Sequence, residues 1–336
     1  MKGKTALVTG AAGFIGSHVT DRLLKSGMTV VGVDSFTDYY PRGWKDANIR
    51  NALGNASFTL VEADLLDLAT EGDSTNVRLQ DLLGAVDYVF HFAAQAGVRA
   101  SWGSSFGEYA SNNVLATQVL LEACRGSRIE RFVNASSSSV YGDTDELPMK
   151  EDARCLPVSP YGVTKLAAEH LSTLYWKSFG VPTVSLRFFT VYGPRQRPDM
   201  AFHKFIRATL EERPIEMFGD GSQTRDFTFV TDIVDGILAA VLAPPGSVFN
   251  LGGGSRVTLR DAIRTLETCT GLRVHCAECD AQSGDVRHTF ADLTLAGRIL
   301  GYEPKVRLGD GLSAELAWLA EALRDHDSGG AAKSGE

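Results

Sequence analysis

Residues 10–16 read Gly10-Ala-Ala-Gly13-Phe-Ile-Gly16, directly after the apolar run Thr5–Thr9 and at the start of the helical pattern Ile15–Lys25. Glycines at this spacing let the chain turn sharply, let backbone N–H groups approach a phosphate, and let the helix pack closely on a sheet. The helix N-terminus then faces the anion. The stretch therefore predicts a strand–loop–helix unit that binds a dinucleotide. The expected contacts are Gly10, Gly13, Phe14, Ile15 and Gly16.

The first half of the chain continues this alternation of short apolar runs and helical patterns. Further strands are predicted at Thr29–Val33, Phe58–Ala63, Asp87–Phe92, Arg131–Ala135 and Thr183–Phe188, and further helices at Asn113–Cys124 and Tyr161–Phe179. The strands are apolar throughout, so both faces of their sheet should be covered, and right-handed β-α-β crossovers are the natural connections. The predicted fold class is α/β, a doubly wound parallel sheet of the Rossmann type.

The distribution of Pro and Gly predicts a second, smaller α/β lobe after about Tyr192. Residues 1–190 are expected to form the dinucleotide-binding domain, with returning segments near 226–252. Residues 191–324 are expected to form the C-terminal substrate lobe. Residues 325–336 are rich in Ser, Gly, Ala and charge, and we expect a disordered tail because they offer little apolar surface against the entropy of ordering.

Composition argues against several classes of protein. The chain has 336 residues, of which 44% are hydrophobic and 22% charged, as in a globular protein with a packed core. Its net charge of −8 argues against nucleic acid or a membrane surface as a partner, because both require a basic face. No signal-peptide layout and no bilayer-length apolar run is visible, so a cytoplasmic location is expected.

The cysteine content indicates free thiols rather than disulfides or a metal centre. There are five cysteines, an odd number scattered along the chain. Cys276 and Cys279 form a lone Cys-x-x-Cys pair, and no second pair supplies the remaining ligands of a tetrahedral zinc site. No metal is expected.

Asp34 identifies the expected cofactor. It ends the second predicted strand, about one β-α-β unit beyond the glycine stretch, where a carboxylate can hold the adenosine ribose hydroxyls. It would repel the 2′-phosphate of NADP by about 4 kcal/mol per unit charge at ~4 Å and an effective dielectric of ~20. The expected cofactor is NAD. Asp64 and Leu65, after the third strand, are expected at the adenine edge, although an aspartate there can equally be a helix cap.

A second motif, Tyr161-Gly-Val-Thr-Lys165, places a phenol and an ammonium group on one face of a predicted helix. A free tyrosine has a pKa near 10, and positive charge from Lys165 and from oxidised nicotinamide would favour the phenolate. An isolated motif of this kind is usually a solvated helical face. Here Ser136–Ser139 follow a strand end and offer hydroxyls beside it, so Tyr161 is predicted to be a general base.

These residues together resemble the extended short-chain dehydrogenase/reductase family over roughly residues 3–320. The resemblance implies that Ser137 positions a sugar, that Tyr161 is the base, and that Lys165 binds the nicotinamide ribose and depresses the tyrosine pKa. It also implies a homodimer. The further cofactor-lining residues that it implies are Ala93, Ala94, Gln95 and Asn113.

The segment Ser137–Gly142 separates reactions within that family. It reads Ser-Ser-Ser-Val-Tyr-Gly, whereas the 4,6-dehydratases have Thr-Asp-Glu before Val-Tyr-Gly. UDP-glucuronate decarboxylases carry a glutamate at the position of Ser139. Serine hydroxyls cannot replace these acids. Epimerisation needs only the tyrosine and NAD, so the resemblance implies an epimerase.

The segment Arg187–Ala201 resembles that of UDP-glucuronate 4-epimerases. The implied activity is the NAD-dependent interconversion of UDP-glucuronate and UDP-galacturonate through a 4-keto intermediate. The implied substrate contacts are Arg99, Ser137, Ser138, Thr190, Arg197, Arg225 and Arg287. Arg197 would reach the uronate carboxylate, while Arg225 and Arg287 would bind the diphosphate. A neutral UDP-hexose or UDP-N-acetylhexosamine substrate, or a non-catalytic NAD sensor or scaffold on the same fold, remains an alternative.

Overall fold

The structure is a computed structural model that describes residues 1–69, 78–280 and 284–331. The strands are β1 (Thr5–Thr9), β2 (Thr29–Asp34), β3 (Phe58–Glu62), β4 (Tyr88–His91), β5 (Arg131–Ser137), β6 (Thr183–Phe188), β7 (Thr190–Tyr192), β8 (Ile215–Phe218), β9 (Thr224–Phe229), β10 (Ser247–Leu251), β11 (Arg256–Thr258) and β12 (Cys276–Cys279). The α-helices are α1 (Phe14–Lys25), α2 (Arg42–Leu53), α3 (Leu65–Leu68), α4 (Leu79–Gly84), α5 (Phe106–Tyr109), α6 (Ala116–Ala123), α7 (Pro160–Phe179), α8 (Ala201–Leu210), α9 (Val230–Ala239), α10 (Leu259–Thr270), α11 (Thr294–Leu300) and α12 (Leu308–Ala331).

The largest sheet has seven strands in the order β10-β6-β5-β4-β1-β2-β3, and its neighbours pair in parallel. This confirms the predicted doubly wound α/β fold. The chain moves outward from β1 to β3 and then returns to the other side of β1 with β4. Ligands of such folds bind at the carboxyl ends of the strands where the order reverses. The glycine stretch after β1 lies at this reversal.

Both faces of the large sheet are covered, as its apolar strands predicted. Every residue of β4 and of β6 is buried. Val19 of α1 and Ile233 of α9 belong to one hydrophobic cluster with strand residues. Leu120 of α6 and Tyr175 of α7 belong to another. The sheet is therefore the middle layer of three, which fixes the strand ends that bear the site.

The second lobe is built on two small sheets, β11-β9-β7 and β12-β8, with α8, α10 and α12 around one hydrophobic cluster. The sequence placed the return to the large sheet near residue 226, but β9 belongs to the small sheet. The reason is aromatic packing. The rings of Phe227 and Phe229 contact Tyr192, with centroids 6.3 and 5.5 Å apart. The return begins with α9, whose Asp235 pairs with Arg22 of α1, and is completed by β10.

The end of the chain differs from expectation. The tail was predicted to be disordered from residue 325, but the backbone of α12 is helical through Ala331. Extending an existing helix costs far less than nucleating a new one, so a polar segment can continue it. Residues 332–336 of the predicted tail lie outside the described residues. No helix in the described ranges has the length and apolar character needed to cross a membrane.

Candidate active site

The glycine stretch forms a tight cradle at the mouth of α1. Gly10 has φ +68°, a left-handed conformation that favours glycine. A Cβ atom on Gly16 would lie 2.0 Å from the carbonyl oxygen of Gly10, far inside contact distance. The cradle opens into a cavity, which we call the first cavity. The predicted cofactor residues that line it are Gly10, Gly13, Phe14, Ile15, Gly16, Asp34, Asp64, Leu65, Ala93, Ala94, Gln95, Tyr161 and Lys165.

Asp34 is buried at the end of β2 and lines the first cavity. Its Oδ2 accepts a hydrogen bond from the N–H of Ala12 at 3.0 Å, and its Oδ1 accepts one from the N–H of Phe36 at 2.9 Å. Sequence reasoning missed Lys45, whose Nζ lies 3.9 Å from Oδ1 and donates to the carbonyl of Thr37 at 2.8 Å. The carboxylate therefore has a cation beside it, which weakens its repulsion of a 2′-phosphate.

Asp64 serves as a helix cap and also lines the first cavity. Its Oδ1 accepts a hydrogen bond from the N–H of Leu66 at 2.8 Å and so caps α3. The two sequence interpretations of this residue are thus compatible. The cap uses one carboxylate oxygen, and the other remains available to a ligand in the cavity.

Asn113 was expected to line the cofactor site, but its side chain instead hydrogen-bonds to other parts of the protein. It lies in the π-helical segment Ala110–Leu115, and its side-chain amide donates to the carbonyl of Gln95 at 3.0 Å and to Thr164 at 2.9 Å. Its Oδ1 accepts from the N–H of Gln95 at 2.7 Å. Asn113 therefore fixes the cavity loop to α7, while its neighbour Asn112 lines the first cavity.

Tyr161 and Lys165 lie together at the start of α7. Ser159 caps this helix by accepting from the N–H of Gly162 at 3.1 Å, and Pro160 occupies the first turn, which suits a helix start. Both functional side chains line the first cavity. Lys165 is 6% exposed, and burial lowers its pKa to about 8.

Burial and two polar neighbours act on the pKa of Tyr161. Burial raises this pKa, and its effect outweighs the two effects that lower it, the nearby hydroxyl of Ser137 and the positive charge of Arg197. Desolvation dominates because the phenolate would be the charged form in a buried place. The positive charge that lowers this pKa comes from Arg197, a residue expected to contact the substrate, and the effect of Lys165 on Tyr161 stays a prediction.

A second cavity lies beyond the end of β5. Ser136 lines the first cavity, whereas Ser138 and Ser139 line the second, so the strand end passes between the two. Thr190 and Arg225 also line the second cavity. Its lining therefore offers hydroxyl groups, the guanidinium of Arg225 and the carboxylate of Asp285, a combination suited to a polar ligand.

The predicted substrate arginines are only partly brought together. Arg225 lines the second cavity, and its Nη1 donates to the carbonyl of Thr224 at 2.9 Å. Arg99 is held on Asp285 and lies over the ring of Phe218, 4.0 Å from its centroid. Arg287 is exposed, and its carbonyl rather than its guanidinium approaches Arg225, at 3.3 Å.

Arg197 is the main departure among these arginines. The resemblance implied that it contacts the substrate like Ser138 and Thr190, but it lines the first cavity with Tyr161, whereas they line the second. Its Nε and Nη2 donate to Oδ1 and Oδ2 of Asp199 at 2.9 and 3.0 Å. Asp199 was missed by sequence reasoning, although its position two residues along the chain was a local signal for the pair.

A buried ion pair beneath the site was also missed. Glu169 of α7 and Arg187 of β6 are each about 5% exposed and make two hydrogen bonds of 2.6 and 3.0 Å. Glu169 also accepts from the hydroxyl of Ser136 at 2.7 Å. Glu169 therefore ties the helix that carries Tyr161 to Arg187 of β6 and, through Ser136, to the end of β5 that carries Ser137. The helical i,i+8 spacing of Glu169 from Tyr161 was the available signal.

The cysteines are free thiols, and Cys276 and Cys279 lie at the two ends of β12. Within residues 1–69, 78–280 and 284–331, no His, Cys, Asp and Glu side chains are grouped to hold a metal ion.

Comparison with known proteins places this geometry in a wider context. Residues 6–252 match the model of the NAD dependent epimerase/dehydratase family. A UDP-glucuronate 4-epimerase of Thermodesulfobacterium geofontis is 36% identical over 319 residues, covering 94% of this chain and 96% of that protein. The structure of a UDP-glucuronic acid 4-epimerase from Bacillus cereus, in complex with UDP-glucuronic acid and NAD, is 44% identical with a TM-score of 0.90 and covers 95% of this chain and 99% of that one. MoeE5 in complex with UDP-glucose and NAD is 42% identical with a TM-score of 0.83, covering 96% of this chain and 100% of that one.

Proposed function

The chain belongs to the NAD dependent epimerase/dehydratase family, and on that premise we propose that it interconverts UDP-glucuronate and UDP-galacturonate through a 4-keto intermediate. The observation that carries the proposal is the position of Tyr161 and Lys165 in a cavity that also contains the glycine cradle. The uronate is favoured because relatives named for UDP-glucuronate are similar over nearly the whole chain.

NAD is the cofactor, and the residues of the first cavity fit it. The cradle at Gly10–Gly16 would receive the pyrophosphate on backbone N–H groups, since no Cβ atom fills it. Asp34 would accept hydrogen bonds from the adenosine ribose, and Lys165 would donate one to the nicotinamide ribose. When bound, NAD takes a hydride from C4 of the sugar and returns it to the opposite face.

Tyr161 is proposed to handle the proton of the sugar 4-hydroxyl. Its phenolate takes that proton as the carbonyl forms at C4, and it returns the proton after the ring has turned over. Ser137, whose hydroxyl lies near enough to lower the pKa of Tyr161, would hold the same oxygen. Electrons and protons balance over the cycle, so the net reaction inverts one carbon and changes no oxidation state.

The second cavity is proposed to hold the sugar nucleotide. Ser138 and Thr190 would contact the sugar, and Arg225 would bind the diphosphate, with Arg99 and Arg287 at its margin. A neutral UDP-hexose is the second candidate substrate. It is favoured by the binding of UDP-glucose in MoeE5 and by Arg197, which already has a carboxylate partner here.

The test is incubation of the purified protein with UDP-glucuronate, UDP-glucose and UDP-N-acetylglucosamine, followed by separation of the epimers. We expect UDP-galacturonate as the main product. Tyr161→Phe should keep NAD binding and lower turnover by several decades, because the fold keeps its shape and loses its base. Turnover of UDP-glucose alone would show that the substrate is a neutral sugar nucleotide rather than a uronate. If no UDP-sugar is turned over, the result favours a non-catalytic NAD sensor.

We also propose a cytoplasmic homodimer. Free thiols are consistent with a reducing compartment. The outer surfaces of α5, of the π-helical segment Ala110–Leu115 and of α7 expose large apolar side chains, which indicates a protein interface. These side chains are Phe106, Leu115, Val163 and Leu174.

A further inference from the structure

The pair formed by Arg197 and Asp199 has a geometry that fixes its charges. Two parallel hydrogen bonds join one edge of the guanidinium to both carboxylate oxygens, and the side chains are 20% and 28% exposed. Tyr39, from the loop after β2, donates to Oδ2 of the same carboxylate at 3.3 Å. A planar guanidinium held at two points has little freedom to rotate. The positive charge of Arg197 therefore has a fixed place in the first cavity.

The remaining end of that guanidinium is unbound. Across the part of the chain that the structure describes, no hydrogen-bond acceptor contacts Nη1 of Arg197, whereas Nε and Nη2 are both used by Asp199. Arg197 lines the first cavity together with Tyr161. Asp199 is not among the residues that line this cavity.

The charged and polar groups around Tyr161 come from several elements. The hydroxyl of Ser137 at the end of β5 lowers the pKa of Tyr161, and the ring of Tyr109 of α5 lies edge-on to that of Tyr161 with centroids 6.3 Å apart. Lys165 is one turn further along α7 and is fully buried. Arg197 lowers the pKa of Tyr161. Arg197 and Asp199 act in opposite directions on the pKa of the neighbouring Tyr109, as two opposite charges held close together must.

We propose that Asp199 sets how readily Tyr161 ionises, by holding the cation of Arg197 beside the base and partly neutralising it. This inference rests on the proposed role of Tyr161 as the base, but it does not depend on which UDP-sugar is the substrate. It assigns to the Arg–Asp pair an action on the base in addition to any contact with the sugar.

The test is the pH dependence of kcat/KM. The acid limb of this profile reports the ionisation of the base in the NAD-bound enzyme before the sugar nucleotide binds. Asp199→Asn leaves Arg197 unneutralised, so the acid limb should move to lower pH. Arg197→Met removes the cation, so the limb should move to higher pH. Each shift should be about one pH unit, the effect of a unit charge at ~10 Å and an effective dielectric of ~20.

Structural damage would not move the acid limb in opposite directions in Asp199→Asn and Arg197→Met. The opposite shifts therefore distinguish the electrostatic role from structural damage. Arg197→Lys keeps the charge and should return the limb towards the wild-type position. The matched control is Asp21→Asn. Arg195 lies in the same loop as Arg197, and this variant removes the carboxylate that pairs with it. This control should leave the limb in place.

The profile is measured with whichever UDP-sugar the wild type epimerises. A neutral substrate would thus overturn the uronate proposal without affecting this one. A limb that stays fixed in both Asp199→Asn and Arg197→Met, or moves the same way in both, overturns the inference.

Discussion

At the scale of single residues, Lys165 exemplifies a functional group that opposes stability. It is nearly fully buried, and no carboxylate in the described part of the chain forms an ion pair with it. Its pKa falls from 10.5 to about 8 because the charged form loses its hydration. The protein retains this cost because the ammonium is needed beside Tyr161 and the nicotinamide ribose.

Lys165→Met should therefore stabilise the protein at neutral pH while abolishing turnover. Below pH 8 the lysine is protonated in both states, so the wild type bears the full cost, about 3 kcal/mol from a shift of about 2.5 units. Between pH 8 and 10.5 the unfolded state binds more protons, so wild-type stability should rise relative to the variant. Urea unfolding of the NAD-free proteins across this range measures the difference.

The control for that measurement is Lys177→Met, on the exposed side of the same helix. It should show no such pH-dependent difference from the wild type. If Lys165→Met is less stable than the wild type at pH 7, the buried ammonium is not a destabilising group and the argument is wrong.

The sequence predicted the site residues that are linked by local spacing, and it missed those that depend on contacts between distant segments. Tyr161 and Lys165 are linked by helical spacing and both line the first cavity. Lys45 has no such signal, because its approach to Asp34 depends on how α2 packs after a loop. The contact of Tyr39 with Asp199 joins segments 160 positions apart, which periodicity cannot reveal.

At the scale of elements, the decisive contact is the one between α1 and the loop before it. The helix begins at Phe14, and Gly16 in its first turn allows the backbone of Gly10 to approach. This is why the glycine spacing could predict a strand, a turn and a helix together.

Gly16→Ala should lower stability by about 1–3 kcal/mol, because its Cβ would meet the carbonyl oxygen of Gly10 and the backbone must shift. The same shift would distort the phosphate cradle, so NAD affinity should fall sharply. Thermal unfolding and NAD titration measure the two effects. Gly84→Ala, at the end of α4, places its Cβ in open space and should change neither. Normal NAD affinity in Gly16→Ala would contradict the proposed cradle.

Strands with a continuously apolar signal could be predicted, and strands of mixed polarity could not. The six strands expected in the first half all occur in the large sheet, with ends shifted by at most two residues. The strands of the second lobe are three to six residues long, and β8 alternates buried and exposed residues over only four positions. Their pairing depends on distant partners, so sequence indicated a lobe there but not its sheets.

At the scale of the whole molecule, the loop between β7 and α8 joins distant parts of the chain. His18 of α1 hydrogen-bonds to the carbonyl of Pro194 at 2.9 Å, and Asp21 pairs with Arg195 at 2.7 Å. Glu315 of α12 accepts from the N–H of Gly193 at 2.8 Å. This loop also carries Arg197, so the first and the last helix both position the cation that shares the first cavity with Tyr161.

The exposed apolar surface on α7 leads to a prediction about assembly. Val163 and Leu174 are 49% and 53% exposed and lie three helical turns apart on one side of α7, a helix of 20 residues, or about 30 Å. Such a stripe is long enough to contribute to an interface of about 1,000 Å². Leu174→Glu places a charge in that interface and should convert a dimer into monomers in sedimentation experiments.

Leu242→Glu is the matched control, because Leu242 is 87% exposed outside this stripe and should leave the dimer intact. Leu174 lies more than two turns from Lys165 on α7, so the monomer should still bind NAD with an affinity close to that of the dimer. A wild type that sediments as a monomer would overturn the homodimer, whereas a dimer that tolerates Leu174→Glu would place the interface elsewhere. If the expected dissociation occurs and turnover also falls, the dimer supports the site through α7, since this helix bears both the stripe and the base.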